Sequence, residues 1–233
     1  MIQRTKSLAR LCLVSAVVVG LLAFSSGSVA AATGPGADAT YTQNGQNADT
    51  GTFECLSNGD GTTTCFEGGL SVFAGKMSDN ISGVSHVSEV CAWMNSSTFD
   101  DETGEYVGEP ISENGCRVDL PKGSLTFGRS LSSATLASTT ITLSQWICTD
   151  KTTCEQGPSR DVTVQGTWTG DGPTTYGKYR FTGDDGPCRV NEAGKGYDRG
   201  ATFVGSVDGT SIGQGYGSIT DGKSTFRSRC TGI

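Results

Sequence analysis

The residues able to do chemistry are few. A single histidine, His86, stands in 233 residues. That removes any site needing two imidazoles, and with it most catalytic zinc, copper and non-haem iron chemistry. Ser211 lies in Gly209-Thr210-Ser211-Ile212-Gly213, which satisfies G-x-S-x-G. A nucleophile elbow needs a histidine further along the chain, and none follows Ser211. Only the order His…Asp…Ser is left, so Ser211 with His86 and an acid such as Asp100 or Asp150 is the serine-hydrolase alternative. A glycosidase built on two carboxylates is the other enzymatic alternative, because it needs no histidine.

Gly217 to Ser224 satisfies G-x-x-x-x-G-K-[ST]. A phosphate-binding loop opens a helix, whereas Thr225-Phe226-Arg227-Ser228-Arg229-Cys230 alternates as a strand, so an Asp-Gly turn is the expected reading. Asp100, Asp101, Glu102, Glu105, Glu109 and Glu113 put six acids into 14 residues. Asp100, Asp101, Glu102 and Glu105 are weak calcium candidates, since the regular spacing of a calcium loop is missing and a solvated acidic hairpin is the commoner outcome. No cofactor is expected.

The remaining candidates are for binding. Trp146 falls on the threonine-rich side of an alternating segment. Tyr176, Lys178 and Arg180 share one side of theirs, and so do Arg227 and Arg229. Aromatic rings beside cations can stack sugars or engage anionic polymers.

These residues must be positioned by strands. Asp-Gly and Asn-Gly dipeptides recur from Asn58-Gly59 to Asp221-Gly222, each able to make a tight hairpin turn. Between them the pattern has period two: Val162, Val164 and Trp168 against Asp161, Thr163, Gln165 and Thr167, and Ile141, Leu143 and Ile147 against Thr140, Thr142 and Ser144. No window sustains a helical period. The expected fold is all-β, an antiparallel β-sandwich or barrel-like meander.

Arg4, Lys6 and Arg10, an apolar run from Leu11 to Phe24 and a stretch of small residues to Ala32 read as a secretory signal peptide over residues 1–32. Residues 33–51 have Tyr41 as their one large apolar side chain, and a disordered leader is expected there. Residues 52–233 are the β-rich domain, with two lobes (52–120 and 123–233) as a possibility around Leu120-Pro121-Lys122-Gly123. Charge divides there too: residues 33–120 hold two basic and 14 acidic groups, and 121–233 hold 12 and 10.

Eight cysteines follow the signal segment, which in an oxidising compartment reads as four disulfides. Turn positions favour nearest neighbours: Cys55–Cys65, Cys91–Cys116, Cys148–Cys154 and Cys188–Cys230. The sequence therefore points to a secreted, non-catalytic β-module that binds an extracellular protein or polysaccharide or serves a surface or structural role. Its net charge of −7 argues against nucleic acid as a general partner, and nothing after the signal segment is expected to span a membrane.

Overall fold

In the computed structural model the described residues are 38–80, 83–148, 154–185, 188–211 and 215–230. Residues 1–37, which include the expected signal segment, lie outside them. Eleven strands form one antiparallel system: β1 (Asp38–Ser57), β2 (Thr62–Asp79), β3 (Gly83–Asp100), β4 (Ile111–Val118), β5 (Leu125–Phe127), β6 (Ser133–Cys148), β7 (Cys154–Gly170), β8 (Thr175–Asp185), β9 (Cys188–Val207), β10 (Thr210–Ser211) and β11 (Gly215–Cys230). The pairing runs β1–β2–β3–β4–β6–β7–β9–β11 and returns from β11 to β1. This is a meander whose hydrogen bonds close into a ring, the barrel-like member of the expected pair. Closure removes the free edges from the eight strands of the ring, while β8 hangs from β9 alone as an edge strand.

Alternation decides what fills the ring. Val162, Val164 and Trp168 on β7 are buried, while Asp161, Thr163, Gln165 and Thr167 between them are exposed. Ile141 and Leu143 on β6 point the same way. A shift in pairing between Leu136 and Thr139 places Ala137 and Ser138 both outside, and a second after Ser144 leaves Trp146 and Ile147 exposed. The expectation that Ile147 continues the inward row is thus corrected: the bulge breaks the parity. Threonine, glutamine and aspartate on the outside with valine, leucine and tryptophan inside is the reverse of the pattern of a barrel that faces lipid.

Large and small side chains interlock in the core. Trp168 faces Phe203 directly across β7 and β9, with ring centroids 4.7 Å apart, and on its other side it faces Ala134 of β6. Its indole Nε1 donates to the Asp49 carbonyl at 3.0 Å, so the one polar atom of this buried ring is satisfied. The core is one cluster drawn from both sides of Leu120: Leu70, Val72 and Val90 meet Ile141, Val164 and Ile219, and Leu120 and Leu131 join it from the segment around β5. Ala32–Ile233 forms one compact unit.

Residues 38–51 overturn an expectation. They are not a disordered leader but most of β1, held by β11 on one side and β2 on the other. The segment looks empty because its inward positions are small. Ala48 and Thr50 are fully buried beside Leu70, Val72 and Ile219, whose bulk fills the space.

Glycine content has a structural reason of its own. Gly69 is covered by Trp93, Gly194 by Tyr179, Gly183 by Phe181, and both Gly45 and Gly75 by Phe73. In each case an aromatic ring occupies the place of the missing side chain, the pairing known to rescue glycine in strands.

Three of the expected disulfides are formed: Cys55–Cys65, Cys91–Cys116 and Cys188–Cys230, each between residues directly opposite on neighbouring strands. Cys148 and Cys154 are also opposite each other on β6 and β7, but their side chains lie outside the described residues.

Candidate binding face

Six strands extend past the closed part of the barrel: β8, the first part of β9, the last part of β11, the first part of β1, the end of β2 and the start of β3. Five of the six residues singled out for binding come together here. Tyr176, Lys178 and Arg180 alternate along one side of β8. Lys178 faces Lys195 of β9, which faces Lys223 of β11. Arg227 and Arg229 lie two and three positions further along the same side of β11, counting every second residue.

This side is not the outer one, as alternation along single strands suggested. It continues the interior: on β1 it runs Ala48, Gln46, Asn44, and on β9 Phe203, Ala201, Arg199, Tyr197, Lys195. It is nevertheless exposed, because β4, β6 and β7 end before this level and leave no opposing wall. Lys178, Arg180, Lys195, Lys223, Arg227 and Lys76 are all exposed.

The register makes a row that single-strand reasoning misses. Lys178, Lys195, Lys223, Asn44, Lys76 and His86 stand opposite one another in succession across six strands. Among the described residues none of the four lysines has an acid within ion-pairing distance. The next row on the same side carries Tyr176 and Tyr197, ring centroids 5.3 Å apart, then Asp221, which accepts from Gln46 Nε2 at 3.4 Å. At the His86 end the face opens into a groove of about 640 Å³, with Asn44, Lys76, His86, Ser88 and Asp119 in its lining.

The row behind the lysines, on the opposite side of the sheet, is Gly177, Gly196, Gly222, Gly45 and Gly75. A Cβ at Gly45 would meet the Ala74 carbonyl, and one at Gly75 the Asn44 carbonyl. The neighbouring strands approach so closely there that any side chain would have to displace backbone. One signal for the row was in the sequence: Gly75-Lys76, Gly177-Lys178 and Gly222-Lys223 run one way, and Lys195-Gly196 the other. In an antiparallel sheet that reversal is what aligns lysine with lysine and glycine with glycine.

The other candidates are elsewhere. Trp146 lies on β6 in the part paired with β4, and its Nε1 donates to Asn114 Oδ1 at 3.2 Å. No pairing joins it to the basic rows. Ser211 pairs with Ser206 of β9, whereas the His86 row crosses β9 at Lys195, eleven residues away along that strand. The two are not brought together. Asp100 Oδ1 accepts from the Glu102 and Thr103 amides at 3.0 and 2.8 Å and from Thr103 Oγ1 at 3.0 Å, bonds that hold its carboxyl below the usual range. That oxygen is committed to its own turn, while Asp101, Glu102 and Glu105 are exposed. Among the described residues the one close trio of metal-ligating types is Glu89, Cys91 and Cys116, and its two sulfurs are bonded to each other.

Two carboxylates lie on the side of the sheet opposite the core, Glu89 buried there and Asp49 half-buried. Glu89, 5% exposed, has Oε1 3.4 Å from Cys91 Sγ, and burial raises its pKa. Asp49 is raised by burial too, opposed by the Ser218 hydroxyl that donates to it at 2.8 Å.

No family model and no curated protein matches the chain. One solved structure is similar at a low level, the translocator domain of the autotransporter NalP from Neisseria meningitidis: 16% identity, 85% of this chain and 90% of that one, TM-score 0.18. A TM-score of that size does not amount to a shared fold.

Proposed function

We propose that the chain is a secreted, non-catalytic β-module that binds an extracellular partner or polymer through the exposed side of β8, β9 and β11. The observation that carries this reading is the convergence of Tyr176, Lys178, Arg180, Arg227 and Arg229 on one solvent-facing surface. Long cationic side chains beside paired aromatic rings supply charge and a flat apolar face together. Cross-strand disulfides support the secretory assignment, since such bonds persist in oxidising compartments. The separation of His86 from Ser211 takes support away from the serine-hydrolase alternative.

The test is retention of the full chain on a panel of neutral and charged extracellular polymers, beside a triple variant Tyr176→Ala/Arg180→Glu/Arg227→Glu. Loss of retention in the variant, with no cleavage of any polymer, is expected. Equal retention of both proteins, or turnover of a substrate, would overturn the reading.

A further inference from the structure

We infer that the occupant of this face is a linear anionic polysaccharide lying along the lysine row. This rests on the binding-face reading above and gives it a ligand class. The row crosses six strands, Lys178–Lys195–Lys223–Asn44–Lys76–His86. At about 4.8 Å between neighbouring strands it is roughly 24 Å long.

Like charges directly opposite one another destabilise a sheet. Here Lys178 faces Lys195 and Lys195 faces Lys223, with no acid paired to any of them among the described residues. The fold keeps this repulsion, and an anion laid on the row removes it. The geometry selects the shape of that anion. Charges recur along a line, at Lys178, Lys195 and Lys223 on successive strands and, past Asn44, at Lys76, which suits a polymer with repeated acidic groups better than a compact small molecule. Lysine acts as a point charge free to follow such a chain, where arginine would demand a fixed two-point geometry.

Two features favour sugar over an acidic polypeptide. The Tyr176–Tyr197 pair lies in the adjacent row of the same side, exposed, where sugar rings of a chain on the lysines can stack. At the other end, the groove of about 640 Å³ presents Asn44, Ser88, His86 and Asp119, hydrogen-bonding groups suited to hydroxyls.

The experiment measures binding of the full chain to immobilised heparin and polygalacturonate, with neutral dextran and polyglutamate in parallel, over a range of salt. Both anionic polysaccharides are expected to bind, dextran not at all and polyglutamate more weakly. Lys195→Glu/Lys223→Glu should weaken polysaccharide binding about ten-fold or more, and each Lys→Gln change in the row should lower the slope of log K against log salt by about one. Lys122→Glu, in the turn before β5, should change little. The Lys→Gln series serves if charge reversal impairs folding, because removing repulsion from the row does not destabilise the sheet.

Tighter binding to polyglutamate would overturn the polysaccharide assignment in favour of an acidic protein. Salt-independent binding of dextran that is lost with Tyr176→Ala would overturn the lysine row while leaving the face intact. No binding to any of the four, or binding unchanged in every variant, would overturn the lysine row, and the second of these the face as well.

Discussion

Arg160 grips Glu113 with two parallel bonds, Nε to Oε1 at 3.0 Å and Nη2 to Oε2 at 2.8 Å, and turns its third nitrogen to Asp208 Oδ2 at 2.7 Å. The fork joins β7 to β4 and to the turn after β9. It lies at the weakest seam of the ring, since β4 and β6 pair over only Ser112 to Asn114.

Glu113→Gln should therefore loosen this seam. Arg160 is 43% exposed, so water screens the pair and the expected loss is about 1 kcal/mol. The bonds from Arg160 hold the Glu113 carboxyl below the usual 4.5 of a glutamate. A depressed folded-state pKa gives stability that is present above the unfolded value and lost as pH falls through the folded one. Urea unfolding at about pH 7 should separate variant from parent, and the gap should close as the pH falls below the usual glutamate range and Glu113 takes up its proton.

Glu89 should behave with the opposite sign. Burial raises its pKa, so its ionised form costs stability, and the penalty grows as pH rises from the unfolded value through the folded one. Glu89→Gln is expected to raise the urea midpoint at neutral pH and to have little effect in acid. A variant less stable than the parent at neutral pH would show that the carboxylate makes a favourable contact.

The glycine row should tolerate substitution unevenly. Gly45→Ala and Gly75→Ala push a methyl against a neighbouring carbonyl and against Phe73, and should cost about 1–3 kcal/mol. Gly177→Ala meets nothing within 4 Å, and should be neutral or stabilising by about 0.4–1 kcal/mol through the unfolded chain. Thermal melts of the three variants check the ordering.

The disulfides should rank by the length of chain they close. Cys55–Cys65 spans 10 residues and Cys188–Cys230 spans 42. On the chain-entropy account these correspond to about 2.7 and about 3.9 kcal/mol. Replacing each pair with serine and measuring the urea midpoint should show the larger loss for Cys188–Cys230, which ties the start of β9 to the end of β11.

How much of this was legible in the sequence depends on whether the signal was local. Val162, Val164 and Trp168 declare their strand and its inward side, because burial of alternate residues is written within one segment. The three cysteine pairs seen as disulfides were legible because each flanks a turn. β1 was not: its partners are 160 or more positions away at β11, and Ala48 and Thr50 are small because Leu70 and Ile219 fill the space. Tyr179 and Phe181, on the other side of the edge strand β8, are exposed because they cover Gly194 and Gly183 and not the core. Tyr176, Lys178 and Arg180 were found as a group on one strand. Lys195, Lys223, Lys76 and Tyr197 were missed as their partners, because only the register of five pairings puts them in line.

The measurement that bears most directly on the binding face is residue-by-residue chemical-shift mapping during titration with an anionic polysaccharide. Perturbations are expected at Tyr176, Lys178, Lys195, Tyr197 and Lys223, fading along β1 towards Lys76 and His86. Residues around Trp146 and the Asp100 turn should stay unmoved. Shifts centred on Trp146, or none at saturating ligand, would contradict the account.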